Sequence, residues 1–498
     1  MWLSKLQENW SHHPRWVRIG APFLLGMIGS LGQAPFGLPL LSLLGFAAAF
    51  ALLTLAHSTR TAALNGWLFG LGYFIVTLQW LVSPFLVDAG QTGWMAPFGV
   101  FFMSAGLALF WALAFGCAQR VGAAALVVTL AIAELARAYV LTGFPWGMPS
   151  YGLVDSILGQ GAAYIGPHGL NLIFFALSFC LFHLLAQPKP IFRPAGFVLV
   201  IGVALFWPLP EHQDEVETVG TIRLVQPNAP QHQKWDPDYM PIIFDRALEL
   251  TAQPGDVDLI IWPETSLPAA LPGGATELAQ IAEAADGTPI VFGTNRFEIV
   301  RLFNSAVLMD ADGNLTQTYD KHHLVPFGEY MPFGELMARF GYYGLAPSDG
   351  RGFSSGTGAE VMDLGPMGLA LPLICYEAVF PQDVGAYETR PDFLMQITND
   401  AWFGTFSGPY QQLAQSRMRA IEQGLPMVRA ANTGISALID TKGRVVDALP
   451  LNQAGFLDVE LPKPLPPTLY SRTGDLPIAL LMICVLFALW LRNRRNTI

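Results

Sequence analysis

A series of apolar runs fills the first 210 residues of this chain and returns once near its end, and no other feature constrains the fold as strongly. A helix needs about 20 predominantly apolar residues to cross the hydrocarbon core of a bilayer. Runs approaching or exceeding that length lie near residues 18–34, 38–56, 62–82, 95–116, 121–141, 164–186, 194–209 and 474–491. The chain therefore reads as a polytopic α-helical membrane domain of about eight spans, seven before a long polar block and one after it. Helix-ending chemistry separates the runs at Gln33-Ala34-Pro35-Phe36-Gly37, Ser83-Pro84, Gln187-Pro188-Lys189-Pro190 and Trp207-Pro208-Leu209-Pro210. The expected division is residues 1–210 with seven transmembrane helices, 211–473 as an aqueous domain, and 474–498 as a last span with a basic tail.

Charge supports two environments. Only 13% of residues are charged, against about a quarter in a soluble globular protein. Residues 1–210 hold only Glu8, Asp88, Glu134 and Asp155 as acids, so the net charge of −11 comes from the residues beyond 210. An acidic aqueous domain excludes recognition of a nucleic-acid phosphate backbone, which requires a basic face. Lys5, Arg15, Arg18, Arg60, Arg120, Lys189 and Arg193 fall on alternate connections, and Arg492, Arg494 and Arg495 come after the last span. By the positive-inside rule both termini are cytoplasmic and the polar block lies on the far side, which in a Gram-negative inner membrane is the periplasm. The first apolar run leads at once into further spans, so it is not read as a cleaved signal peptide. Glu134 and Arg137, three residues apart, share a helical face and are expected to form an internal ion pair. The aromatic, turn-rich loop 143–152 after them is expected to anchor at the interface.

The polar block alternates strand-like and helix-like patterns. Thr221–Val225, Asp258–Trp262, Pro289–Gly293, Ser305–Met309, Leu369–Ile374, Asp392–Thr398, Met427–Ala431 and Ile435–Ile439 read as strands. Residues 238–251, 277–285 and 411–423 read as helices, giving a layered α/β domain with its own core. Of four cysteines, Cys117, Cys180 and Cys484 lie in apolar runs and are expected to be buried and inert. Cys375, in Leu373-Ile374-Cys375-Tyr376-Glu377, is the only thiol in the polar block. Upstream are Glu264, in Ile261-Trp262-Pro263-Glu264, and Lys321, in Tyr319-Asp320-Lys321-His322-His323. Glu264 and Cys375 each come after an apolar strand, where α/β folds expose catalytic groups. Together the three supply a base, a cation and a nucleophile, the set that acyl transfer through a thioester needs. His322 and His323 make no metal-binding spacing with a nearby cysteine or carboxylate pair, so neither a metal nor a cofactor is expected.

The trio Trp262-Pro263-Glu264, Lys321 and Cys375-Tyr376-Glu377 resembles the nitrilase (carbon–nitrogen hydrolase) superfamily. Longer strings are similar to the apolipoprotein N-acyltransferase family within it: Lys321-His322-His323-Leu324-Val325-Pro326-Phe327-Gly328-Glu329, Asn399-Asp400-Ala401-Trp402-Phe403-Gly404, and Gln226-Pro227-Asn228 leading to Lys234-Trp235. The Ser471-Arg472-Thr473-Gly474-Asp475 entry to the last span fits the same family, and the resemblance covers essentially the whole chain. It implies an αββα sandwich for the aqueous domain. It also implies transfer of an acyl chain from a membrane phospholipid to the amino group of a lipoprotein's N-terminal diacylglyceryl-cysteine. Under that reading Glu264 is the general base, Lys321 the cationic stabiliser and Cys375 the nucleophile, with the Tyr376 backbone N–H helping to hold the oxyanion. Glu329 and Glu377 are expected to hold Lys321, and Trp235, Asn399 and Trp402 to contact substrate. The glycine- and aromatic-rich stretch from Phe340 to Gly356 is expected to form a lid over a site that must stay dry.

Two other readings are weaker. A membrane-tethered amidase acting on small amides explains the trio but leaves most of the spans unused. A transporter would place ionisable residues in several spans, where this chain has Glu134 and Arg137 in one.

Overall fold

Helices form along the apolar runs, although several are shorter than the runs themselves. The structure, a computed structural model, describes residues 10, 12–186, 196, 201–202, 217–332, 334, 339 and 352–497. It divides into two units: Met1–His212 with Phe406–Ala414 and Pro467–Ile498, and Gln213–Thr405 with Gln415–Pro466.

The first unit is helical, with long helices at Arg15–Ser30, Pro39–Thr54, Thr59–Thr77, Ala96–Val121, Ala125–Tyr139, Ala162–Leu185 and Leu476–Thr497. Among the described residues three helical stretches, Ala89–Val121, Ile157–Leu185 and Leu476–Arg495, are long and apolar enough to cross a membrane. A fourth is counted if Thr59–Thr77 and Gln79–Leu86, bent by 61°, are taken as one span. The runs near 18–34, 38–56 and 121–141 give helices of 16, 16 and 15 residues. The run at 194–209 lies almost wholly outside the described residues.

Small residues let these helices approach closely. A methyl group on Gly26 would sit 1.9 Å from the Phe69 carbonyl oxygen, and one on Gly72 would sit 2.0 Å from that of Phe23. Backbone-to-backbone contact at glycine is how helices associate where lipid removes the hydrophobic drive between them. Phe46 fills the space between helices, with Phe69, Tyr73, Trp111, Phe174 and Phe175 at 5.2–5.7 Å between ring centroids.

The expected ion pair is present. Arg137 Nη2 lies 2.5 Å from Glu134 Oε2, and both side chains are fully buried. Trp111 Nε1 donates to Glu134 Oε1 at 2.8 Å, and Arg137 Nη1 donates to the carbonyls of Phe144 and Trp146. The pair thus pins the loop next to it. That loop departs from expectation: Trp146, Met148 and Tyr151 are buried against protein rather than standing at an interface. Trp146 packs against Trp80 with ring centroids 4.4 Å apart, and its Nε1 donates to Gln411 Oε1 at 2.7 Å. Cys117, Cys180 and Cys484 are also unlike the reading, because they sit on exposed helix faces.

The second unit holds two six-stranded sheets. The strands are β1 Thr218–Gln226, β2 Leu259–Ile261, β3 Ile290–Glu298, β4 Arg301–Met309, β5 Leu315–Asp320, β6 Met362–Asp363, β7 Leu369–Ile374, β8 Phe393–Thr398, β9 Met427–Ala431, β10 Ser436–Ile439, β11 Val445–Leu449 and β12 Gly455–Pro462. Their orders are β12-β1-β2-β3-β4-β5 and β11-β10-β9-β8-β7-β6. The centres are parallel, β1-β2-β3 and β7-β8-β9, and the outer pairings antiparallel. Strands at the centre of such a layered sheet are covered on both faces, which explains the unbroken burial of β2, β8 and β9. Helices Met240–Thr251 and Ala275–Ala285 cover the first sheet through Phe244, Ala247, Ile281 and Ala285, packed with Val225, Ile260, Trp262 and Phe292. Helix Gly408–Gln423 bonds the second sheet, with Ser416 Oγ donating to Gln396 Oε1 at 2.6 Å. β5, β6, β11 and β12, which no apolar run marks, are the four edge strands.

Candidate active site

Glu264, Lys321 and Cys375 all sit just past strand ends, after β2, β5 and β7 respectively. Two of these turns are strained. Cys375 has φ +54° and Thr265, beside the glutamate, has φ +49°. Non-glycine residues rarely adopt this region, and it persists only where surrounding structure holds it.

Glu264 is nearly buried, at 6% exposure. Its Oε1 accepts from Asn304 Nδ2 at 2.7 Å, and its Oε2 accepts from the Asn399 backbone N–H at 2.8 Å. Lys321 Nζ lies 3.6 Å from Glu264 Oε1 and donates to Glu329 Oε1 at 2.8 Å. Glu329 also takes the Val325 backbone N–H on Oε2 at 2.8 Å. Lys321 is 1% exposed; burial works against its charge, yet Glu329, Glu264 and Cys375 together hold its pKa above the ordinary lysine value. It stays a cation at any working pH. The Cys375 thiol goes the other way. Burial, then the Glu264 carboxylate, push its pKa up, and Lys321 and a bond with Thr398 only partly offset them. The resting thiol is therefore protonated, so attack requires a base to take its proton.

The structure thus brings the three residues into one electrostatic cluster, with Glu329 on Lys321. Glu377 is placed differently from expectation. Its buried carboxylate accepts from the backbone N–H groups of Ile374 at 2.7 Å and His322 at 2.8 Å, and from Tyr319 Oη at 3.0 Å. His322 Nδ1 stands 2.7 Å from it. Although buried, Glu377 is held below the usual carboxylate range by the His322 bond and charge and by the Ile374 N–H. It ties the turn that carries Cys375 to the segment after β5 instead of holding Lys321, because the N–H groups of Ile374 and of His322 both point at its carboxylate.

The Asn399 side chain is held by its neighbours in the protein. It is 3% exposed, its Nδ2 donates to Gln231 Oε1 and its Oδ1 accepts from Asn432 Nδ2, both at 2.8 Å. Its contribution to the site is the backbone N–H on Glu264. Tyr376 is buried, edge-on to Phe380 and His323 at 4.9 and 5.7 Å. Trp235 and Trp402 stand part-exposed, at 45% and 38%. The segment expected as a lid lies outside the described residues from 340 to 351.

Three contributors escaped the sequence reading: Asn304, Gln396 and Arg429. Gln396 Nε2 donates to the Cys375 carbonyl at 3.2 Å, and its Oε1 takes Arg429 Nη1 at 2.6 Å. Arg429 Nη2 reaches Asp400 Oδ2 at 2.5 Å in a fully buried ion pair. Each is a polar residue inside an otherwise apolar strand or turn, which is the signal that flags such positions. Among the described residues no group of three or more histidine, cysteine or carboxylate side chains is placed to hold a metal ion.

Gly293, on β3, lies directly under the glutamate. A Cβ there would meet Thr265 N at 2.5 Å and Glu264 Cα at 2.6 Å. Gly293→Ala is therefore expected to displace the turn, costing about 1–3 kcal/mol of stability together with much of the activity. Thermal unfolding and acylation assays check it, and an alanine variant with both unchanged contradicts the packing argument.

Paired six-stranded sheets with a carboxylate, a lysine and a cysteine at their strand ends belong to the carbon–nitrogen hydrolase class, whose family profile matches residues 221–465. Residues 25–180 match the N-terminal domain of apolipoprotein N-acyltransferase. Apolipoprotein N-acyltransferase of Rhodopseudomonas palustris is 38% identical, the alignment covering 96% of each chain. That of Bradyrhizobium diazoefficiens is 38% identical over 95% of each, and that of Brucella melitensis 35% over 95% of each. The chain belongs to the apolipoprotein N-acyltransferase family, enzymes that N-acylate lipoproteins. Among solved structures, an amidase from Nesterenkonia sp. aligns with 54% of this chain and 98% of its own, at 18% identity and a TM-score of 0.37. A carbon–nitrogen hydrolase superfamily protein of Xanthomonas campestris aligns with 49% and 90%, at 21% identity and a TM-score of 0.35.

Proposed function

We propose that this chain takes a fatty acyl group from a membrane phospholipid onto Cys375 and passes it to the α-amino group of a lipoprotein's diacylglyceryl-cysteine. The observation that carries the reading is the buried cluster of Glu264, Lys321 and Cys375 in a chain of this family. Glu264 takes the thiol proton as sulfur attacks the ester carbonyl, and Lys321 with the Tyr376 N–H stabilises the tetrahedral oxyanion. Collapse expels the lysophospholipid as its alcohol, which receives the proton from Glu264, and leaves a thioester. The amine then attacks the thioester; Glu264 accepts its proton and passes it to the departing sulfur, which restores the thiol and the free carboxylate and gives ping-pong kinetics.

The membrane reading accompanies it. Residues 1–210 supply seven spans and 474–498 an eighth, with 211–473 as the periplasmic catalytic domain and both termini cytoplasmic in the inner membrane. Apolar helices and the distribution of Lys and Arg support this arrangement.

The test is an acyl-enzyme trap. Purified protein incubated with acyl-labelled phospholipid should carry label that neutral hydroxylamine releases, and a diacylated lipopeptide should then discharge it as triacylated product. An unlabelled protein with intact phospholipid sinks the reading. Label released only as free fatty acid, lipopeptide present, makes the chain a hydrolase.

A further inference from the structure

A second buried lysine stands behind the proposed base. Lys234 ends the short helix Gln231–Lys234 and is 7% exposed. Its Nζ donates to the Glu264 carbonyl oxygen at 2.9 Å and to Thr265 Oγ1 at 2.7 Å. Lysines are rarely buried without a carboxylate partner, and here the two bonded acceptors are both uncharged. They belong to the turn whose second residue, Thr265, is β-branched and has φ +49°. The lysine itself is carried on anchored chain. Gln231 accepts from Asn399 Nδ2 at 2.8 Å, and Ala229 exchanges two bonds with the Asn432 side chain, each at 2.8 Å.

We infer that Lys234 is a positioning residue, which clamps the Glu264–Thr265 turn from behind so that the carboxylate faces Cys375. The titratable groups acting on its ammonium are the Glu264 carboxylate, from the end of β2, and Cys375, from the end of β7, once its thiol ionises. Both favour the protonated form, but burial outweighs them and brings its pKa down to about 8. The clamp is fully charged below that pH and loses its charge as pH rises through it. The exposed Trp235 adjoins it, with Nζ 5.8 Å from the ring centroid, so the inner face of this segment holds the base and its outer face meets solvent.

The inference rests on Glu264 acting as the acylation base. The experiment uses the full chain in lipid nanodiscs and follows single-turnover formation of the hydroxylamine-labile adduct from labelled phospholipid. Lys234→Met keeps the length of the side chain and removes its donors. Displacing a reacting group by an ångström costs about 100-fold, so the expected loss is about 10- to 100-fold in acylation rate, with the KM for phospholipid little changed. In the wild type the rate should fall on the alkaline side with a midpoint near that of Lys234, about 8. That limb should be absent in Lys234→Met and displaced upward in Lys234→Arg, which should recover part of the rate. Wild-type rates in Lys234→Met, a loss confined to KM, or an unaltered alkaline limb would each overturn the assignment. Thr265→Val removes one of the two acceptors and serves if Lys234→Met does not fold: a lower rate at unchanged KM is expected, and a wild-type rate refutes the clamp. Glu264→Gln run in parallel separates the two claims, because adduct formation at full rate in that variant refutes the base and not the lysine's geometry.

Discussion

Cys375→Ala should abolish adduct formation and lipoprotein acylation together, and Glu264→Gln should slow the first half-reaction by about 10²- to 10⁴-fold, the range that a positioned general base contributes. The second effect arises from the state of the thiol. Burial and the neighbouring carboxylate push the Cys375 pKa up, so at neutral pH attack cannot draw on a standing pool of thiolate. Proton removal has to accompany attack, and Glu264, the carboxylate whose charge acts on the thiol, is the base proposed for it. Glutamine fills the same space but cannot accept the proton. It also fits poorly, because both carboxylate oxygens already receive donors, Asn304 Nδ2 and the Asn399 N–H. The new amide N–H₂ must oppose one of them, costing about 1–3 kcal/mol. Single-turnover labelling with phospholipid measures the rate, and thermal unfolding separates that cost from chemistry. A Glu264→Gln protein that acylates Cys375 within a few-fold of wild type would show that the proton goes elsewhere.

Legibility in the sequence tracked burial. All eight interior strands are readable as apolar or β-branched runs, because a strand covered on both faces needs such a run. The four edge strands are not. β5, Leu-Thr-Gln-Thr-Tyr-Asp, is mostly solvated, and β11, Val445–Leu449, has no buried residue. Edge strands pair on one side only, so their side chains need not pack a core. Lys321 comes after one of these edges, and its motif rather than any strand pattern made it visible. Glu264 and Cys375 are legible by position, each past an apolar strand. What holds them is not, since Asn304, Asn399, Gln396 and Glu377 act across distances of 21 to 135 residues, or through backbone N–H groups that no side-chain pattern encodes. The same limit explains Trp146. An aromatic loop looks interfacial until the Glu134–Arg137 pair is seen to draw its carbonyls inward.

The two strained turns show why so much buried polarity gathers here. Cys375 and Thr265 are held at positive φ, and each is met by groups outside the reacting trio. Glu377 takes the Ile374 N–H and Gln396 donates to the Cys375 carbonyl, while Lys234 takes up the Glu264 carbonyl and Thr265 hydroxyl. Gln396 rests in turn on the buried Arg429–Asp400 pair. A backbone conformation costing of order 1–3 kcal/mol survives only when over-determined in this way. Rigidity at the strand ends is what keeps an acid, a cation and a thiol in one small volume.

Lys321→Met tests that balance most severely. The variant leaves Glu264 and Glu329 side by side with no cation between them, and removing one partner of a buried ion pair costs about 3–5 kcal/mol. Chemistry should suffer twice. The oxyanion loses its charged donor, worth about 10²- to 10³-fold, and the thiol loses a positive charge that lowers its pKa. The sign of the second effect is open to direct reading. Burial and Glu264 already raise the Cys375 pKa, so without Lys321 it must rise further, and alkylation by iodoacetamide at a fixed neutral pH must slow. Cys117, Cys180 and Cys484 are exposed, so the measurement is made by mass spectrometry on the peptide that contains Cys375. Acyl-enzyme formation should be lost alongside it. Faster alkylation in Lys321→Met, or an adduct formed at the wild-type rate, would show that Lys321 serves the fold alone and that the oxyanion is stabilised by other groups.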